Sequence, residues 1–241
     1  MSEIEDEDKD VSFTPPLEAT VMAFIGEPRS GKSTLIKAIM NFYNKKKYFR
    51  YGLCISGSSW NGDYDFLPSK SLWDKWDEDR LKEYIGVLET RAHLLKKKGK
   101  KLPPSFLILD DLLGQINNSD YFKSFLSRFR QYNITVMIAA QYAAEAKGCS
   151  TLFRSVCDIA FMFPTLNLNQ LEAMKNAWGG YYKNVEEFKQ VMIGVKVKKH
   201  ACLLFQKKMN SIRTAYKSFL CQQAPDFKMN FDKKVKHEGI V

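Results

Sequence analysis

GEPRSGKST, Gly26 to Thr34, places Gly26, Gly31, Lys32 and Ser33 in the pattern G-x-x-x-x-G-K-[ST]. Residues of these types at this spacing suit the phosphates of a nucleotide. Glycines let backbone N–H groups converge on an anion with no Cβ in the way, and a following helix adds its positive end. Lys32 would reach the β and γ oxygens, and the Ser33 hydroxyl would ligate Mg²⁺. Glu27, Pro28, Arg29, Ser30 and Thr34 complete the expected nucleotide-binding stretch. Arg29 either contacts the γ-phosphate or points to solvent.

Hydrolysis needs acids, and FLILDD (Phe106 to Asp111) ends in two. Asp110, at the carboxyl end of an apolar run, is placed to hold Mg²⁺ or its water. Asp111 can orient or deprotonate an attacking water; its alternative is to cap the next turn. NITVMIAAQ (Asn133 to Gln141) ends on Gln141, whose amide either senses a γ-phosphate or is an ordinary edge glutamine. Arg130 and Arg154 flank that run and are candidates to neutralise transition-state charge, a task often met from a neighbouring subunit. The alternative for each is a surface charge. A GTPase is disfavoured, because NKKK (Asn44 to Lys47) lacks the final Asp of a guanine-reading Asn-Lys-x-Asp.

The elements that must position these residues alternate along the chain. Thr20 to Ile25, Phe49 to Ser56, Ser105 to Asp111, Asn133 to Ala140, Ile159 to Phe163 and Ala201 to Phe205 read as buried strands. Ser33 to Tyr43, Asp77 to Lys98 and Tyr121 to Phe129 have helical spacing. The βαβ pattern predicts an α/β fold with a mostly parallel central sheet, helices on both faces and right-handed crossovers. GVKVKKHACLLFQKK (Gly194 to Lys208) reads as basic strands that either complete the sheet or offer lysines to DNA. The expected organisation is an acidic, disordered head over 1–12, one domain over 13–221 and a basic tail over 222–241.

Composition narrows the partners. The 241 residues carry a net charge of +10, yet residues 1–10 hold six acids against Lys9. The head is therefore −5 and the other 231 residues +15. Lysine clusters at 45–47, 96–101, 196–199, 207–208 and 233–236 suit a polyanion, since each neutralised phosphate releases counterions; the alternative is a solvated surface. The acidic head could shield that basic surface. Five cysteines without a CxxC pair predict reduced thiols and no metal site of their own. No apolar run is long enough to span a membrane, and a soluble intracellular protein is expected.

Taken in order, GEPRSGKST, FLILDD and RQYNITVMIAAQY (Arg130 to Tyr142) resemble the DNA-packaging ATPases of poxviruses and other large DNA viruses and virophages. These belong to the FtsK/HerA superfamily of DNA-pumping motors. The resemblance covers about Phe13 to Met174, including WNGDYD (Trp60 to Asp65) and RSVCDIAFMF (Arg154 to Phe163). It implies a P-loop NTPase of RecA/FtsK-like fold using ATP and Mg²⁺. Lys32 and Ser33 would bind phosphate and metal, Asp110 support the metal, Asp111 stand for the catalytic acid, and Gln141 be the sensor, with Arg130 matching the arginine before the sensor strand. Asp111 departs from the Glu of many members and is one methylene shorter. The resemblance further implies a homo-oligomeric ring that threads double-stranded DNA, regardless of sequence, into a preformed capsid. The capsid or portal vertex would be a partner, with location in the host cytoplasm at viral factories or in the virion. The alternatives are a nucleoside or polynucleotide kinase, a nucleotide-binding capsid scaffold without turnover, and a helicase-like role in replication.

Overall fold

Strands that are apolar without alternation belong in a sheet covered on both faces, and the chain builds one. The computed structural model describes residues 13–143, 150–197, 201–208, 217–220 and 224–231. The strands are β1 (Val21–Ile25), β2 (Tyr51–Ser56), β3 (Leu72–Trp73), β4 (Ser105–Asp110), β5 (Ile134–Ala140), β6 (Ile159–Met162), β7 (Ala201–Gln206) and β8 (Lys217–Leu220). Their order across the sheet is β3-β2-β4-β5-β1-β6-β7-β8. The first six are mutually parallel, whereas β7 and β8 are antiparallel additions.

Helices cover both faces. Val21, Ala23 and Ile25 of β1 pack with Leu107, Leu109, Val136 and Ile138 under one layer. That layer holds α2 (Glu78–Lys97), α3 (Leu113–Ile116), α4 (Asp120–Arg128), α5 (Thr151–Val156), α6 (Leu168–Trp178) and α7 (Val185–Val197). Met22 and Phe24 face the other way, with Phe106, Ile108 and Met137, beneath α1 (Lys32–Lys45). Side-chain caps set where several helices start. The Asp77 carboxylate accepts from the Arg80 N–H at the start of α2, Ser119 from Phe122 at α4, and Asn167 from Gln170 at α6.

Two expectations change. Of GVKVKKHACLLFQKK, residues 194–197 are the end of α7 and Ala201–Gln206 is strand; Lys198, Lys199 and His200 lie outside the described residues. Two helices between β6 and β7 return the chain to the edge it left, so β7 has to run antiparallel to β6. The stretch read as a tail is, where described, packed into the domain. Met229 is buried, Phe227 stacks on Phe66 with centroids 5.0 Å apart, and the Met229 N–H donates to the Phe66 carbonyl at 2.8 Å. The expected disordered head lies outside the described residues. None of the described helices is long and apolar enough to cross a membrane. Cys54, Cys157 and Cys202 are buried.

Gly52 shows how tightly the second face is filled. It pairs with Phe106 across β2 and β4, and a Cβ built on it meets the Phe106 ring at 2.3 Å. Gly52→Ala is expected to destabilise the fold by about 1–3 kcal/mol through overpacking, measured by denaturant unfolding; an unchanged midpoint would show that Phe106 moves aside freely.

Candidate functional site

The carboxyl ends of three adjacent strands, β4, β5 and β1, bring the chemistry together. Asp110 and Asp111 leave β4, Gln141 leaves β5, and the Gly26–Thr34 stretch leaves β1 and enters α1. Ligands of open parallel sheets sit at this edge. The register is closed by two backbone bonds, Gly26 N–H to the Ala140 carbonyl and Asp111 N–H to the Ala139 carbonyl, each 3.1 Å.

The loop itself has the shape its glycines predict. Gly31 has a φ of 104°, a conformation in which a side chain is strained. A Cβ on Gly26 would meet Phe163 Cβ at 2.6 Å and Ser30 Oγ at 2.7 Å. Arg29, an exposed residue at the loop's tip, has a φ of 62°. No side chain caps the start of α1, so its first amides are left for a ligand. The Ser30 hydroxyl is buried and has no hydrogen-bond partner among the described residues. Lys32 Nζ folds back on the loop, donating to the Gly26 carbonyl at 2.6 Å and the Glu27 carbonyl at 2.9 Å. Burial lowers its pKa, against the pull of Asp110, Asp111 and Glu27.

The acids differ. Asp110 is half-buried, and burial raises its pKa while the Tyr64 hydroxyl and then the Lys32 ammonium oppose the shift. The Ser56 hydroxyl donates to its Oδ2 at 3.4 Å. Asp111 is exposed, with a φ of 58°. That left-handed turn is uncommon for a residue with a Cβ and is held where surrounding structure imposes it. It brings the carboxylate to Gln141, whose Nε2 donates to Asp111 Oδ2 at 2.6 Å. One acid thus faces the lysine, and the other faces the glutamine.

Neither arginine joins them. Arg130 sits in a 3-10 turn over Phe129–Tyr132, before β5, at the amino edge of the sheet. β1 alone separates the two edges by roughly 16 Å. Arg130 Nη2 donates to both oxygens of Asp158, at 2.7 and 2.8 Å, and Asp158 Oδ2 also accepts from the Val21 N–H at 3.0 Å. That pairing ties the start of β1 to the turn before β5. Arg154 lies in the last turn of α5, and its Nη2 donates to Thr151 Oγ1 at 3.1 Å. Within one chain each is held by another partner, Arg130 by Asp158 and Arg154 by Thr151, and the expected role for both is one toward a neighbouring subunit.

Sequence reading missed the cap of α6. Thr165 Oγ1 donates to Glu27 Oε1 at 2.5 Å and accepts from the Asn167 N–H. Gln170 Oε1 accepts from the Ala143 N–H at 3.0 Å. The first turn of α6 and the residues leading into it therefore hold both the phosphate loop and the chain leaving Gln141. No motif announces Thr165; Gln170 carries a signal only as an amide on a helix's buried face.

No family model matches the chain. It is similar to "Uncharacterized protein 088R" of Invertebrate iridescent virus 3, at 27% identity over 186 residues, 75% of this chain and 67% of that protein. Among solved structures it is similar to the genome packaging NTPase B204 of Sulfolobus turreted icosahedral virus 2 in complex with ATP-gammaS. The TM-score is 0.55 at 16% identity, over 83% of this chain and 96% of that one. It is also similar to the pCW3 conjugation coupling protein TcpA with ATPgS, with a TM-score of 0.60 at 12% identity, over 86% of this chain and 62% of that one. The parallel strand order, the loop between β1 and α1 and the acids closing β4 are those of a P-loop NTPase, and that is the fold of this chain.

Proposed function

We propose that the protein is an ATP hydrolase that moves double-stranded DNA, a genome-packaging motor of the poxvirus and large DNA virus kind. The observation that carries hydrolysis is the Gln141 to Asp111 hydrogen bond of 2.6 Å, set beside a half-buried Asp110 and a glycine-shaped loop ending in Lys32 and Ser33. A protein that only binds nucleotide has no use for a second carboxylate held by an amide. The similarity to the packaging NTPase B204 and to the coupling protein TcpA supports the DNA part of the reading.

The residues fit ATP with Mg²⁺. The uncapped start of α1 and the orphan Ser30 hydroxyl suit phosphate oxygens, and Asp110 with the Ser33 hydroxyl suits the metal. Mg²⁺, when bound, would neutralise charge on the β and γ oxygens. Lys32 Nζ, now held by two carbonyls, would exchange them for those oxygens. Asp111, held by Gln141, accepts a proton from a water as the water's oxygen bonds the γ-phosphorus. The bond from that phosphorus to the β–γ bridging oxygen breaks, and ADP leaves. Arg130, paired with Asp158 at the amino edge, would act toward a neighbouring subunit in a ring whose interface includes that edge.

DNA would meet lysines. Lys96, Lys100 and Lys101 line a cleft of about 1270 Å³ at the amino edge, with His93 and Arg128. None of the three lysines has an acidic partner among the described residues. Phosphate contacts of this sort grip every sequence alike. A capsid or portal vertex would receive the DNA, at viral factories in the host cytoplasm or within the virion. The test is steady-state phosphate release from ATP, with and without random-sequence duplex DNA. Turnover that rises with DNA is expected; no turnover in either condition contradicts the reading, and transfer of phosphate to an added nucleoside would replace it with a kinase.

A further inference from the structure

The loop between β2 and β3 places an unused group beneath the metal-side acid. β2 and β4 are in register with Ser56 opposite Asp110. Beyond Ser56 the chain takes a 3-10 turn over Ser59–Asn61 and reverses at Gly62, whose φ is 88°. That reversal returns Tyr64 under the sheet's carboxyl edge, where it is wholly buried. Its hydroxyl has no hydrogen-bond partner among the described residues. It lies against the Asp110 carboxylate, and burial followed by the Asp110 charge pushes the phenol's pKa well up. Buried hydroxyls nearly always have a partner, so an orphan asks for an explanation.

The loop is pinned where Tyr64 needs it. The Leu67 N–H donates to the Tyr64 carbonyl at 2.9 Å, and the Asp65 N–H to the Gly62 carbonyl at 3.2 Å. From below, Phe227 stacks on Phe66 and the Met229 N–H holds the Phe66 carbonyl. A side chain buried by chance would not need its loop clipped by a segment more than 160 residues away.

We propose that Tyr64 is a positioning residue for the divalent metal of the nucleotide, its buried hydroxyl orienting the Asp110 carboxylate toward the metal or a metal-bound water. The proposal rests on the reading of this site as one for ATP and Mg²⁺. It extends that site to the WNGDYD stretch, which carries no role in the hydrolytic scheme above. Groups that orient a metal-ligating side chain typically carry about 10- to 100-fold of metal affinity.

Tyr64→Phe removes the hydroxyl and keeps the ring against Phe66. The full chain is titrated with ATPγS by calorimetry, first in EDTA and then at stepped Mg²⁺ concentrations. Affinity in EDTA is expected to match the wild type. The Mg²⁺ concentration giving half of the metal-dependent gain is expected to rise roughly tenfold or more. An unchanged Mg²⁺ midpoint overturns the proposal. So does an equal loss of affinity in EDTA and in Mg²⁺, which would mean the hydroxyl serves the fold or the loop rather than the metal. If the wild type fails to bind ATPγS at all, the nucleotide reading falls and takes this proposal with it.

Discussion

Asp111→Asn is expected to slow ATP hydrolysis by about 10²- to 10⁴-fold while leaving ATP affinity within a few-fold of wild type. The substitution keeps the side chain's shape, and its Oδ1 still accepts from Gln141 Nε2, so the left-handed turn at φ 58° keeps its tie across β4 and β5. It removes the negative charge and with it the capacity to take a proton. Single-turnover hydrolysis beside equilibrium binding separates the two effects. A normal rate would demote Asp111 to a turn cap. Equal losses in both measurements would place it among the binding groups. The short Asp side chain is workable here because the backbone, not a longer side chain, carries the carboxylate to Gln141.

Lys32→Ala is expected to act on both quantities. Removing a charged donor to phosphate should weaken ATPγS by about 10- to 100-fold, and turnover at saturation should fall by a further 10²- to 10³-fold. Stability should hardly change. The ammonium is partly buried against two carbonyls, and relieving a desolvated charge offsets the loss of those bonds. Thermal unfolding without nucleotide checks that point. A large drop in melting temperature would mean that Lys32 mainly braces the loop.

Much of this site was legible because its signals are local. An apolar run ending in a polar residue predicts a buried strand that delivers its last residue to an edge, and Asp110, Asp111 and Gln141 arrive at one edge by that rule. Hydrogen bonding between Asp111 and Gln141 was not legible, since it depends on the backbone turning left-handed at a non-glycine position. The Arg130 motif was legible but its surroundings were not. Its partner Asp158 is 28 residues away and is buried only because β1 and β6 pair.

Where patterns compete, packing decided. Val195 and Val197 alternate with Lys196 as in a strand, yet Val195 is buried and Val197 is 83% exposed. Phe188 and Met192 sit on the same helical face as Val195 and bury it with them. In the last described stretch, Phe227, Met229 and Phe231 alternate among polar residues and looked like a tail. They cover a sheet face that α1 alone leaves open, which only the assembled sheet reveals. Tyr64 was in plain view within WNGDYD, and nothing but its burial without a partner sets it apart.

Translocation is the central claim, and displacement of a triplex-forming strand from linear duplex DNA tests it most directly. Full-length protein is supplied with ATP and Mg²⁺, and release of the labelled third strand is followed in time. The account predicts release that requires ATP hydrolysis, is lost in Asp111→Asn and does not depend on the sequence of the duplex leading to the triplex. Active ATP turnover on DNA without any release of the third strand would contradict it.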